Sequence, residues 1–147
     1  VNWFKDVEIS RFSDNQYRIF SHETQEDYVS SALHNENINL YGIFDKDRHI
    51  GNVVLGAIDL NHRRAEISYL VGDREYWGKG IGTLAVTFAV EKAKEANLHK
   101  VYAGCARDNV GSIKVLQKNN FILEGTRVDH LYYEGEWMDQ LDFGLLL

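Results

Sequence analysis

The chain has no proline, one cysteine (Cys105) and an excess of acidic over basic residues. No apolar run approaches the roughly 18 residues that a membrane span needs. A lone thiol excludes an internal disulfide. With no charged-then-apolar leader at the N-terminus, the expectation is a reducing, intracellular setting and a cytoplasmic protein. Lys and Arg number 16 against 22 Asp and Glu, a formal charge of −6, which argues against nucleic acid or an anionic membrane as partner. The histidines (His22, His34, His49, His62, His99, His130) show no metal-ligand spacing, so no metal is expected. Repeats, linkers and low-complexity segments are also missing. What is there is a 147-residue chain with 44% hydrophobic residues, enough for one sizeable core, and residues 1–147 read as a single domain. The chain opens Val1-Asn2-Trp3-Phe4 in an apolar-periodic segment without a helix cap, so we expect a strand upstream of Val1.

Trp3, Phe4, Val7, Ile9 and Phe12 mark residues 3–12 as a helix end or turn. Thr24 stands ahead of Asp27 in a near capping-box pattern, with Tyr28, Val29, Ala32 and Leu33 at helical spacing, so a short helix is predicted over about 24–34. Strand signals follow at 38–44 and 50–60, separated by the polar turn 45–49, and a third at 65–71. Ile81, Leu84, Ala85, Phe88, Ala89 and Ala93 define one face of a helix ending near Asn97. The segment 100–106 is strand-like, and a strand reached through a helical crossover normally lies parallel to the one before it. Asn109 suits the N-cap of a helix through Lys118, with Val110, Ile113 and Leu116 inward. Two long strands, 121–133 and 137–147, close the chain around Glu134-Gly135-Glu136.

The stretch EISYLVGDREYWGKGIGT, Glu66 to Thr83, organises the rest. An alternating strand (Ile67, Tyr69, Val71) runs through a charged turn into three alternating glycines (Gly78, Gly80, Gly82) and a helix start. Glycines open the main chain to a ligand, and the first turn of a helix presents unpaired N–H groups, a combination suited to a phosphate. The spacing fits neither a P-loop nor the dinucleotide fingerprint.

The loop Trp77-Gly78-Lys79-Gly80-Ile81-Gly82 resembles the acyl-CoA loop of the GNAT superfamily of N-acetyltransferases, and Asn109, Ser112, Ile113, Leu116, Lys118 and Phe121 resemble its second signature. The likeness covers roughly residues 38–147. Trp77 stands where most relatives have Gln or Arg, Leu116 in the place of a frequent tyrosine, and Asn120 in place of the glycine before Phe121. The first two departures, with Phe121-Ile122-Leu123-Glu124-Gly125 and Arg127, resemble the subgroup containing the acetyltransferases of ribosomal-protein N-termini, some polyamine acetyltransferases and some amino-sugar acetyltransferases.

The resemblance implies an α/β (α+β) fold: a mixed, mostly antiparallel sheet of about six or seven strands flanked by helices, with a splay between two central strands. It implies acetyl-CoA as acetyl donor, with the main chain of Gly78 to Thr83 (Gly78, Lys79, Gly80, Ile81, Gly82, Thr83) around its diphosphate and Lys79 as an added charge. Leu70 and Val71 are the implied contacts of the pantetheine arm, one of their amides polarising the thioester carbonyl. Trp77 packs against the loop. Asn109 holds the pantetheine amide or simply caps its helix.

An alkyl amine of pKa about 10.4 is neutral in about one molecule in 2,500 at pH 7, a cost of about 4.6 kcal/mol, so a base is useful. Glu66 is the candidate, acting through water, with a solvated pairing to Arg63 or Arg64 as its structural alternative; His130 is a rival. Leu116 cannot protonate the leaving thiolate. Ser112 resembles the subgroup's serine and could do so, although serine is also a common capping residue. Cys105 reads as core rather than as a nucleophile. The expected activity is N-acetylation of a primary amine by direct attack in a ternary complex. The acceptor is a small-molecule amine or a protein N-terminus, and a homodimer is compatible with the family. A non-catalytic acyl-CoA-binding or regulatory module, or a nucleotide-binding protein, remain alternatives. Acceptor choice is expected to be written in the hairpin end 129–136.

Overall fold

A computed structural model describes Trp3, Arg11, Phe12 and residues 22–147. Its elements run α1 (His22–Leu33), β1 (Asn39–Asp45), β2 (Arg48–Asp59), β3 (Arg64–Val71), a 3-10 turn (Arg74–Tyr76), α2 (Ile81–Glu95), β4 (Lys100–Ala106), α3 (Val110–Lys118), β5 (Ile122–Tyr133) and β6 (Glu136–Leu146). Most of the segment 3–12, predicted as a helix end or turn, lies outside the described residues. Six strands form one sheet in the order β1-β2-β3-β4-β6-β5. Among the described residues, β3 and β4 pair in parallel and the other pairs are antiparallel. The crossover through α2 accounts for that single parallel pair.

Strand alternation builds the core. Val53 and Leu55 of β2, Ala65 and Ile67 of β3, and Val101 and Ala103 of β4 are buried together against α2. The helix presents Ala85, Val86, Ala89, Val90 and Ala93 to that face, and its alanines let the axis come close to the sheet. This stripe is rotated from the predicted one: Leu84 and Phe88 are exposed, and Phe88 instead meets the ring of Tyr41 edge-on at 5.0 Å on the rim. In α1, of the four apolar residues at helical spacing, Ala32 is buried and Tyr28, Val29 and Leu33 are exposed. In α3, Leu116 is buried, Ile113 packs on the core and Val110 is exposed.

Helix ends follow the local chemistry. The Asn109 side chain accepts from the Ser112 amide, the predicted N-cap. Asn120 has φ 64, a left-handed conformation that asparagine tolerates better than most residues, so it fills a place where relatives use glycine. The β5–β6 connection turns on Glu134 (φ 52) and Gly135 (φ 80), the two positive values a tight type I′ hairpin requires. Among the described residues, no helix is long and apolar enough to cross a membrane.

Candidate functional site

The seam between β3 and β4 is paired only at Arg64↔Lys100, Ala65↔Val101 and Glu66↔Tyr102. Beyond that point β3 stays with β2 as far as Gly51↔Val71, while β4 stays with β6 as far as Ala106↔Gln140. Each strand follows its other neighbour, and the seam opens. The Gly72 amide donates to Ile50 O over 2.9 Å. By the two-residue alternation of an antiparallel ladder, Ser68 and Leu70 therefore turn their peptide groups to β2, and Tyr69 and Val71 turn theirs to the opened edge. Leu70, expected at that edge with Val71, spends its main-chain groups inside the sheet. The Val71 carbonyl accepts from the Trp77 indole Nε1 over 2.8 Å, so Trp77 ties the loop to the strand end.

The loop itself is braced from below. Asp73 caps the 3-10 turn through the Glu75 amide. Arg48 at the start of β2 bridges Asp73 and Glu75, and the Tyr76 hydroxyl donates to Asp45 Oδ2 over 2.6 Å. Above this brace, Gly78 and Gly80 adopt φ 72 and φ 79, and a Cβ added at either would meet nothing within 4 Å. Both glycines thus face open space in a conformation costly to other residues. Gly80 is the N-cap of α2 and supplies no side-chain cap, so the first-turn amides of Ile81, Gly82 and Thr83 point towards that space. Lys79 is exposed, its Nζ 5.5 Å from the Tyr76 ring centroid.

Gly82 serves a different purpose. A Cβ there would stand 2.9 Å from Tyr69 Cε2 and 3.3 Å from Val115 Cγ2, so the missing side chain makes room for the Tyr69 ring between α2 and α3. The Tyr69 hydroxyl lies 3.2 Å from Ser112 Oγ. Sequence reading singled out Ser112 and missed Tyr69; the alternation that turns Tyr69 inward was visible, its partner on α3 was not. Burial, partly offset by the bond to Ser112, raises the Tyr69 pKa above its ordinary value. Asn119 clamps the two helices: its Nδ2 donates to Thr83 O (3.2 Å) and Val115 O (3.1 Å), and its Oδ1 accepts from the Thr87 hydroxyl (2.8 Å). Leu116 is core.

On the sheet side of the closed seam lies a cleft of about 590 Å³ lined by residues that include Arg64, Glu66, Lys100, Glu124, Arg127 and Asp142. Its cations are committed: Lys100 to Glu124 at 2.7 Å, Arg127 to Asp142 at 2.7 Å and Arg64 to Asp59 at 3.7 Å. Arg63 donates to Asn97 O instead. Glu66 therefore pairs with neither arginine, and among the described residues it takes part in no ion pair. Partial desolvation and then the charge of Asp142 raise its pKa, while Arg127 pulls it down. Hydrogen bonds from Gln140 and Arg127 hold the Asp142 pKa low despite some burial. His130 is exposed on β5. Cys105 is half-buried, and burial and Asp142 push its pKa to about 11, so at pH 7 about one molecule in ten thousand is thiolate. That thiol is a core side chain.

An unzipped strand edge, an open glycine turn and uncapped amides at the start of α2 follow one another along the chain, and main-chain donors of this kind suit a diphosphate and an amide-bearing arm. A family model described as "Acetyltransferase (GNAT) domain" matches residues 1–122. The chain is 32% identical over 142 residues to the probable N-acetyltransferase YjcK of Bacillus subtilis, covering 91% of this chain and 76% of that protein. It is 26% identical over 116 residues to spermidine N(1)-acetyltransferase of Escherichia coli, covering 78% of this chain and 62% of that protein. In fold it matches a crystal structure of spermidine N-acetyltransferase from Vibrio cholerae in complex with CoA and spermine, with TM-score 0.87 at 22% identity, over 99% of this chain and 86% of that one.

Proposed function

The chain belongs to the GNAT acetyltransferase family, and from that membership we propose that it moves an acetyl group from acetyl-CoA to a primary amine by direct attack in a ternary complex. The observation that carries this reading is the seam that stops at Glu66↔Tyr102 beside a glycine turn open to solvent. When bound, acetyl-CoA supplies the activated acetyl thioester. The main chain from Gly78 to Thr83 grips its diphosphate, Lys79 adds charge, and Asn109 and the opened edge at Tyr69 and Val71 steer the arm. An amide of that edge polarises the thioester carbonyl. Glu66, exposed on β3 and in no ion pair among the described residues, takes the proton of the attacking amine through water. Ser112 serves the departing sulfur.

We read the acceptor as a small cationic amine. In the cleft every lysine and arginine already has a carboxylate, which leaves Glu66 as the carboxylate that can meet an incoming ammonium, and the named relatives include spermidine acetyltransferases. The single thiol suits a reducing, cytoplasmic compartment. Trp77, Leu116 and Arg127 resemble a subgroup that includes ribosomal-protein N-terminal acetyltransferases beside polyamine and amino-sugar acetyltransferases, so an N-terminal peptide is the competing acceptor. CoA release from acetyl-CoA should be measured with spermidine, spermine, an amino-sugar nucleotide and an Ala- or Ser-initiated peptide. We expect the polyamines to give the highest kcat/KM, with intersecting double-reciprocal lines. Parallel lines would overturn direct transfer, and CoA binding without turnover of any amine would make the chain an acyl-CoA-binding module.

A further inference from the structure

Ser112 has one hydroxyl proton, and its hydrogen bond with Tyr69 (3.2 Å) can be donated from either side. If Ser112 donates, its proton points at Tyr69 and none is left for a sulfur atom. If Tyr69 donates, the Ser112 proton is free for another acceptor. Three features favour the second arrangement. The ring of Tyr69 is wedged where Gly82 leaves space, with Val115 of α3 beside the same glycine. The backbone amide of Ser112 is already held by Asn109 Oδ1 at 3.2 Å, which fixes the serine on its helix turn. Burial raises the Tyr69 pKa, which keeps the phenol protonated and able to donate.

We propose that Tyr69 is a positioning residue for acetyl transfer: its hydroxyl donates to Ser112 Oγ, and this directs the Ser112 hydroxyl at the sulfur of the leaving group. The inference rests on the acetyl-transfer reading above. As the C–S bond breaks, its electron pair moves onto sulfur, and the thiolate leaves holding a hydrogen bond from Ser112. No proton departs from Ser112 or Tyr69. The proton lost by the nitrogen goes through water to Glu66, and the thiolate is protonated from solvent. Ser112 and Tyr69 end the step as they began it, and Glu66 afterwards returns its proton to solvent. Leu116 then needs no replacement acid, because a thiol of pKa about 8.5 leaves with modest help.

The test uses CoA itself, so it does not depend on knowing the acceptor. The pKa of the CoA thiol bound to the protein is read from its thiolate absorbance across pH, in wild type, Tyr69→Phe, Ser112→Ala and the double variant. Phenylalanine keeps the ring that fills the space beside Gly82. We expect the bound thiol to titrate below free CoA in wild type and to rise by roughly half to one unit in either single variant, with no further rise in the double variant. With spermidine as acceptor, Tyr69→Phe should lower kcat roughly tenfold while KM for acetyl-CoA changes less than about twofold, and the loss should vanish in the Ser112→Ala background. A bound-thiol pKa unchanged in Tyr69→Phe, or an equal shift with and without Ser112, overturns the proposal. Failure of wild-type protein to bind CoA removes the loop assignment and this inference with it; binding with an unmoved thiol pKa removes this inference alone. If spermidine is not turned over, the thiol titration decides.

Discussion

Along one seam, the same two strands meet in two ways. At the closed end, Arg64, Ala65 and Glu66 stand in parallel register with Lys100, Val101 and Tyr102, the peptide groups satisfy one another, and the chemistry left over belongs to side chains: a cleft of mostly paired charges around one uncommitted carboxylate. At the open end, the peptide groups of Tyr69 and Val71 lose their β4 partner, and what is left over belongs to the main chain. On the proposed reading the first arrangement tunes protons and the second grips a ligand. Glu66 stands at the junction.

That division can be broken by substitution. The largest effect is expected from Glu66→Gln, which keeps shape and removes the base: kcat/KM should fall by roughly 10² or more below the pKa of the acceptor, and less above it. Wild-type rates from pH 6 to 9 would strike Glu66 from the mechanism. Next, Gly80→Trp places a side chain in the open turn and strains its positive φ. KM for acetyl-CoA should rise roughly 10- to 100-fold, the worth of one or two charge-assisted hydrogen bonds, with kcat less affected; an unaltered affinity for acetyl-CoA would dissolve the loop assignment.

A finer probe is Asp142→Asn. The negative charge of Asp142 helps to raise the Glu66 pKa, and Arg127 lowers it. Neutralising Asp142 removes the first influence and frees Arg127 for the second, so Glu66 stays ionised to lower pH and the acid limb of kcat/KM should move to lower pH. A move to higher pH would show that the limb belongs to another group. The smallest effect belongs to Lys100→Met, which deletes the 2.7 Å pair with Glu124 at the closed end. This half-exposed pair should contribute no more than about 1 kcal/mol, a melting shift of at most about 4 °C, with kcat unchanged. A larger loss of turnover than of stability would mean that the closed end handles substrate.

Much of this was legible in sequence where a feature is local. The strand bounds, the parallel crossover, the Asn109 cap and the glycine turn each depend on residues a few positions apart. The Asn120 substitution for glycine reads the same way, because a left-handed φ is a one-residue requirement. What escaped depends on neighbours distant in the chain. The buried stripe of α2 is set by the approach that its alanines permit to the sheet, and this turned Leu84 and Phe88 outward. The choice of Tyr69 and Val71 over Leu70 at the opened edge depends on which strand claims the even-numbered peptides. The Tyr69–Ser112 pair joins β3 to α3 across a gap that no pattern within either element describes, and the charge pairing around Glu66 assembles residues from β3, β4, β5 and β6.

Asn119 carries a consequence of its own. Its amide fastens the first turn of α2, through Thr83 O and the Thr87 hydroxyl, to the last turn of α3, the helix that also bears Ser112. On the proposed reading, the start of α2 and the Ser112 hydroxyl meet opposite ends of one coenzyme arm, so their separation has to stay within the reach of that arm. On that reading the Asn119 carboxamide holds the separation, and Asn119→Ala would leave both ends intact while letting the span between them drift.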